Sequence, residues 1–131
     1  PSFAVIYNNL GIDLFADRKN EEAISHFKIA IKLMPTNIKA HYNLGIALFS
    51  NRKYKEAIYH YKIAIKLQPK YTSAHYNLGN AQYQTDNISR AVWAYEQCLK
   101  LDPLNKDAKY NLKFETYILI PLHKNFILRF P

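Results

Sequence analysis

Ala40-His41-Tyr42-Asn43-Leu44-Gly45 returns as Ala74-His75-Tyr76-Asn77-Leu78-Gly79, a displacement of 34 residues. The same ruler laid backwards falls on Tyr7-Asn8-Asn9-Leu10-Gly11. Laid forwards it falls on Ala108-Lys109-Tyr110-Asn111-Leu112-Lys113, where a lysine has replaced the glycine. The chain therefore reads as three repeats and a partial fourth, and a period in this range is the mark of a stacked-repeat architecture.

The flanking sequence supplies the rest of each unit. From residue 3 to 15 apolar residues recur at helical spacing (Phe3, Ile6, Leu10, Leu14), and Asp17-Arg18-Lys19-Asn20 breaks the pattern. Asn20, followed by Glu21 and Glu22, is expected to cap a second helix with the stripe Ala23, Ile24, Phe27, Ala30, Ile31 and Met34, closed by Pro35. Asn37 is expected to cap a helix from about Ile38. Asn51-Arg52-Lys53 makes the next turn, Ala57, Ile58, Tyr61, Ala64 and Ile65 line the partner helix, and Pro69 closes it. In the third unit Thr85-Asp86-Asn87 is the turn, Ala91, Val92, Tyr95, Cys98 and Leu99 form the stripe, and Pro103 follows.

Each unit is thus two antiparallel helices whose apolar face can be buried only by stacking on a neighbour. Glycine inside a helix costs roughly 1 kcal/mol relative to alanine. Gly11, Gly45 and Gly79 therefore point to a close helix crossing, with Ala23, Ala57 and Ala91 expected opposite.

Six columns recur in register: Leu10/Leu44/Leu78, the three glycines, the three alanines, Phe27/Tyr61/Tyr95, Ala30/Ala64/Cys98 and Pro35/Pro69/Pro103. This pattern, over about residues 4–112, resembles the tetratricopeptide repeat, TPR. The resemblance implies an all-α, right-handed superhelical solenoid of helix pairs with a concave groove. The expected units are 4–37, 38–71 and 72–105, a terminal helix 106–120 and an apolar tail 121–131.

The tail departs from the pattern. Pro121 arrives where the last helix should turn into its partner, and Tyr117-Ile118-Leu119-Ile120 and Phe126-Ile127-Leu128 are apolar where a capping helix should be polar. Folding back over the last hairpin, self-association into a homo-oligomer and continuation of the array are the three expectations.

Composition narrows the function classes. At 131 residues and 49% hydrophobic, the chain is expected to form one domain. The longest apolar run, 117–122, is far short of the roughly 20 residues of a membrane span, so no membrane span is expected. No basic-then-apolar leader opens the chain, and Pro1 in place of a methionine suggests a fragment or processed product. The single cysteine, Cys98, cannot form an internal disulfide and favours a reducing compartment such as the cytoplasm without fixing it. A net charge of +8 favours acidic partners, but Lys28, Lys32, Lys62, Lys66 and Lys100 are scattered as solvated helix faces.

In a TPR-like array the first helix of each unit lines the groove. Helical spacing then assigns it Asn8, Asn9, Ile12 and Phe15; Tyr42, Asn43, Ile46 and Phe49; Tyr76, Asn77, Asn80 and Tyr83; and Tyr110, Asn111, Phe114 and Tyr117. This is an uncharged surface of amides and aromatics. Asn9, Asn43, Asn77 and Asn111 would form a ladder, and a carboxamide both donates to and accepts from a peptide unit. Tyrosines add amphipathic contact area. TPR proteins that hold extended peptides through such a ladder are similar at these positions, so the candidate peptide-binding residues are Asn9, Tyr42, Asn43, Phe49, Tyr76, Asn77, Asn80, Tyr83 and Asn111. The bland alternative is that the asparagines bond within the scaffold.

The TPR subclass that clamps the C-terminal carboxylate of chaperones needs cations on this face. The corresponding positions here hold Asn8, Ile12, Ser73 and Asn77, with only Asn43 matching, so a chaperone tail is disfavoured as partner. His26/His60 and His41/His75 recur by repetition with no second ligand at i+4, so no metal site is expected. No phosphate loop, cofactor motif or nucleophile set is present, and an enzyme is not expected. The reading is a protein or peptide-binding scaffold. The rivals are self-assembly through the apolar C-terminal segment and basic single-stranded nucleic-acid binding. Against the last, lysines and aromatics fall on different faces.

Overall fold

The computed structural model describes residues 2–114, which form α1 (Phe3–Ala16), α2 (Asn20–Leu33), α3 (Ile38–Ser50), α4 (Tyr54–Leu67), α5 (Thr72–Gln84), α6 (Ile88–Leu101) and α7 (Lys106–Phe114). The expected extension of the last helix to residue 120, Tyr117 in the groove and the apolar 121–131 tail lie outside the described residues. Helices pair as α1 with α2, α3 with α4 and α5 with α6. Each pair then packs on the first helix of the next, ending with α6 on α7.

The helix boundaries have local causes. α1, α3 and α5 end in Schellman turns: the N–H groups of Lys19, Lys53 and Asn87 reach the carbonyls of Leu14, Leu48 and Gln82 at 2.9 Å. Arg18, Arg52 and Asp86 accordingly sit in the left-handed region, at φ 62, 61 and 60°. α2, α4 and α6 end two residues before Pro35, Pro69 and Pro103. Their C-caps Met34, Gln68 and Asp102 are extended, near φ −142, −139 and −136°, because proline excludes the helical conformation from the residue before it. Asn37 caps α3 through its Oδ1, which accepts from the Ala40 N–H at 3.1 Å, and Asn105 does the same for Ala108 at 2.9 Å. Asn20 does not cap. It is already the first residue of α2 behind Lys19, and its Nδ2 donates to Asn51 Oδ1 (3.1 Å), while Asn51 Nδ2 donates to Glu21 (2.8 Å). The side chain is spent on tying one interhelical turn to the next.

The core is built from a tight crossing within each pair. A Cβ placed on Gly45 would lie 2.5 Å from Cε1 of Tyr61, and Gly11 and Gly79 meet Phe27 and Tyr95 in the same way. The glycine's partner is therefore the aromatic column, not the alanines expected there. The alanines Ala23, Ala57 and Ala91 are nonetheless fully buried, as are Ala30, Ala64 and Cys98. Leu44, Leu48 and Leu78 fill the space between successive pairs.

α1 is the exception. Its expected stripe of Phe3, Ile6 and Leu10 is exposed (72, 40 and 43%), whereas Leu44 and Leu78 of the same column are buried. What α1 buries is Ala4, Asn8 and Gly11, because no helix of the described residues covers its other face.

On the opposite side of each first helix runs a second recurrent contact. Tyr7 lies against His26, with ring centroids 5.8 Å apart, and one period later His41 lies against His60 at 5.3 Å. His41 Nε2 donates to the Pro35 carbonyl (2.8 Å), so its Nδ1 accepts from His60 Nδ1 (3.1 Å). The structure thus joins two histidines 19 residues apart, a pairing that their 34-residue recurrence does not state. Among the described residues no group of three or more metal-ligating side chains accompanies them. Burial, the neighbouring His41 and Lys28 hold His60 down at about 4.

Two outcomes are expected. Propensity alone would make Gly45→Ala stabilising by about 1 kcal/mol; the ring contact reverses the sign, and a net loss of up to about 2 kcal/mol is expected from overpacking. The check is the urea midpoint, where a rise would contradict the crossing. Because His60 titrates below its ordinary 6.5, its contribution is complete above about pH 6.5 and is lost as pH falls towards 4. Discounted for partial exposure, about 1–2 kcal/mol should disappear over that window. In His60→Ala the profile of stability against pH should be flatter there.

Candidate functional site

Successive first helices are tied by one hydrogen bond repeated along the stack. Asn43 Nδ2 donates to Asn8 Oδ1 at 3.1 Å, Asn77 Nδ2 to the Tyr42 hydroxyl at 2.9 Å and Asn111 Nδ2 to the Tyr76 hydroxyl at 3.4 Å. The asparagine column therefore does brace the scaffold. Asn43 and Asn77 each do so through a single hydrogen bond of an amide that carries two donors, whereas Asn111 Nδ2 also reaches Asn80 Oδ1 and the Tyr95 hydroxyl.

Tyr42 is half-buried, its ring centroid 4.7 Å from that of Tyr71 and 6.1 Å from that of Tyr61. Burial raises its pKa, against the lowering effect of hydrogen bonds from Ser73 and Asn77. Tyr71 occupies the column in which Asn37 and Asn105 cap their helices. It makes no side-chain cap, and gives its ring to this stack.

Towards the end of the described chain the face opens into a cavity of about 320 Å³ lined by Phe49, Asn80, Tyr83, Gln84, Tyr95, Tyr110 and Asn111. Phe49 is braced edge-on by Tyr54, with centroids 5.1 Å apart. Asn80 Oδ1 accepts from the Tyr95 hydroxyl at 2.6 Å and from Asn111 Nδ2 at 3.2 Å. A polar knot is thus drawn from α5, α6 and α7 into one place.

The candidate residues fall into three groups. Phe49, Asn80, Tyr83 and Asn111 meet in the cavity. Tyr42, Asn43, Tyr76 and Asn77 form the ladder leading to it. Asn9 is exposed on α1, outside both groups. Tyr71, Gln84 and Tyr95 were not among the candidates. For Tyr95 a signal existed: the column Ile12/Ile46/Asn80 turns polar in the unit whose aromatic is Tyr95, and a buried tyrosine hydroxyl needs a partner.

None of these candidate residues is charged. The lysines named above lie exposed on α2, α4 and α6. What the face offers is a row of amide groups and tyrosine rings, able to exchange hydrogen bonds with an uncharged backbone and to cover apolar side chains.

The chain is similar to solved TPR domains along nearly its whole length. The first TPR of Spaghetti (RPAP3), solved with the HSP90 peptide SRMEEVD bound, is 26% identical with a TM-score of 0.86, over 89% of this chain and 93% of that one. The first TPR domain of human RPAP3 gives 26% and 0.84, over 90% and 93%. The Arabidopsis OM64 TPR domain shares the fold, at 21% identity and a TM-score of 0.84 over 87% and 94%. No curated protein sequence matches the chain. The family pattern described as TPR repeat matches residues 11–52 and 47–86, and that described as tetratricopeptide repeat matches residues 72–105. With its 34-residue period, paired helices and glycine-on-aromatic crossings, the chain belongs to the tetratricopeptide repeat family.

Proposed function

We propose that the chain is a non-catalytic protein-interaction module that holds an extended, largely uncharged peptide segment along the groove face of α1, α3, α5 and α7. The observation that carries this reading is the amide and tyrosine ladder, Asn43, Asn77 and Asn111 with Tyr42 and Tyr76, running into the cavity around Asn80 and Tyr83. An extended strand presents unpaired peptide groups to such amides, each hydrogen bond contributing about 0.5–1.5 kcal/mol net. A partner helix satisfies its own backbone internally and would leave the amides unanswered.

The bound peptide of the Spaghetti domain supports occupancy of a groove in this fold, and charge separates the two cases. SRMEEVD is acidic, and the positions that would clamp its terminal carboxylate are here Asn8, Ile12, Asn43, Ser73 and Asn77. Neutral positions favour a neutral segment, held without strong salt dependence.

The test is an arrayed peptide screen with a single-stranded oligonucleotide as control, read at low and moderate salt. Uncharged peptides should bind with little salt dependence, and Asn43→Ala/Asn77→Ala should weaken them by about tenfold or more. A melting curve of each variant separates lost binding from lost bracing. Oligonucleotide binding that collapses with salt and ignores the double variant would defeat the reading. Conversely, Ser73→Lys/Asn77→Arg should gain affinity for peptides ending in an acidic residue, since the variant supplies charge-assisted donors that the native face lacks. Titration calorimetry with SRMEEVD reads that gain.

A further inference from the structure

A second cavity, of about 430 Å³, opens between α4, α5 and α6 and shares no lining residue with the cavity of the groove face. Ile65 of α4, Leu78 of α5 and Trp93 of α6 supply its apolar lining, and Lys62 of α4 and Arg90 of α6 also line it. No acidic residue is among those that do. Trp93 is 57% exposed and lies one helical turn from Arg90. Tryptophan and arginine are the residue types that dominate protein–protein hot spots.

The repeat shows what the second cation replaces. Laid back 34 residues, Lys62 falls on Lys28 and Arg90 on Glu56, so the corresponding positions one unit earlier carry one charge of each sign. Glu22 holds the same column in the first unit. Those glutamates also suit their helices, because the first turn is the positive end of the helix dipole. α2 and α4 have acidic residues there; α6 has none, and carries Arg90 instead. The exchange therefore works against the helix that contains it, and it brings two like charges to one cavity. Like charges brought together build a positive potential that an anion relieves.

We infer that the α4/α5/α6 cavity is a docking site for an acidic protein segment that inserts one bulky apolar side chain between flanking carboxylates. The apolar side chain packs against Ile65, Leu78 and Trp93, and the carboxylates pair with Lys62 on one helix and Arg90 on another. Charge disfavours the two occupants nearest at hand. A second copy of the chain brings a net charge of +8, and residues 115–131 carry Lys124 and Arg129 against the single acid Glu115. Either would add positive charge to a surface that is already doubly positive. The site is independent of the neutral peptide groove.

The test is a fluorescence titration of the full chain with a short blocked peptide that holds a central phenylalanine between pairs of glutamates. Trp93 is the only tryptophan, so its emission should shift as the peptide binds. Affinity should fall by about tenfold or more when the glutamates become glutamines or the phenylalanine becomes alanine, and it should weaken as salt is raised. Arg90→Glu restores the residue type of the first two units at an exposed position; it should weaken binding by about tenfold or more while the melting temperature holds or rises. Lys62→Glu/Arg90→Glu should instead prefer the peptide with lysines in place of the glutamates. Tyr83→Ala, which alters the peptide groove, should leave this binding unchanged. No binding of the glutamate peptide, equal affinity for its glutamine version, an unmoved Trp93 emission or full binding by Arg90→Glu would each overturn the proposal. So would self-association in light scattering that Trp93→Ala dissolves, a rise in peptide affinity on removal of residues 115–131, or a single-stranded oligonucleotide that binds more tightly than the peptide and displaces it. Those three results would make the occupant a second copy, the chain's own tail or a nucleic acid.

Discussion

The fold depends on how closely two helices can cross within a pair. A hydrogen atom at Gly11, Gly45 and Gly79 lets the rings of Phe27, Tyr61 and Tyr95 come close against helix backbone, and each ring is about 1% exposed. The exchange is favourable. A glycine gives up about 1 kcal/mol of helix propensity, while burying a large aromatic returns about 1.5–3 kcal/mol and excludes water from the centre of the pair. Packing of this kind is short-range, so the contact must be rebuilt in every pair, and for that reason the glycine and the aromatic recur at a fixed distance in the sequence.

The same crossing shapes the candidate site. Because Tyr95 lies against Gly79, its hydroxyl emerges beside Asn80 on the groove side, where Asn111 of the next helix also arrives. A core residue thereby becomes part of a surface. The asparagine ladder has a comparable double character: at Asn43 and Asn77 one hydrogen bond ties adjacent helices, and an amide has further donor and acceptor capacity beyond it. Bracing and binding compete only if the peptide must take the hydrogen already used, so these side chains can be preorganised by the first task for the second.

Repetition also supplies an internal reference. Where His60 gives way to Ala94 and Leu48 to Gln82, the change can be judged against a near-identical neighbour rather than against an ideal. The first exchange removes the partner that His41 has in the second pair, and the second leaves a buried amide oxygen without one. The contrast with Asn80 is instructive, since there the polar departure is answered at once by Tyr95 and Asn111.

Much of this was legible in one dimension. The period, the helix pairs, the positions of the turns after α1, α3 and α5, the proline stops and the Asn37 cap all rest on interactions within a few residues, which local sequence states directly; that Arg18, Arg52 and Asp86 turn the chain in the left-handed region came only from the structure. Contacts between helices were legible only as columns, and there the reading could misassign partners. It placed alanines opposite the glycines, Asn20 at a cap and Phe3, Ile6 and Leu10 in a stripe that proves exposed on α1. It also left His41 and His60 apart, because their meeting depends on the offset between two antiparallel helices. Sequence by itself determined that the chain is a stack of helical hairpins with an uncharged amide and aromatic face. Tertiary structure alone decided which side chains meet across helices, where hydroxyls surface and where an interface is left open, because those outcomes turn on ångström-scale packing between residues far apart in the chain.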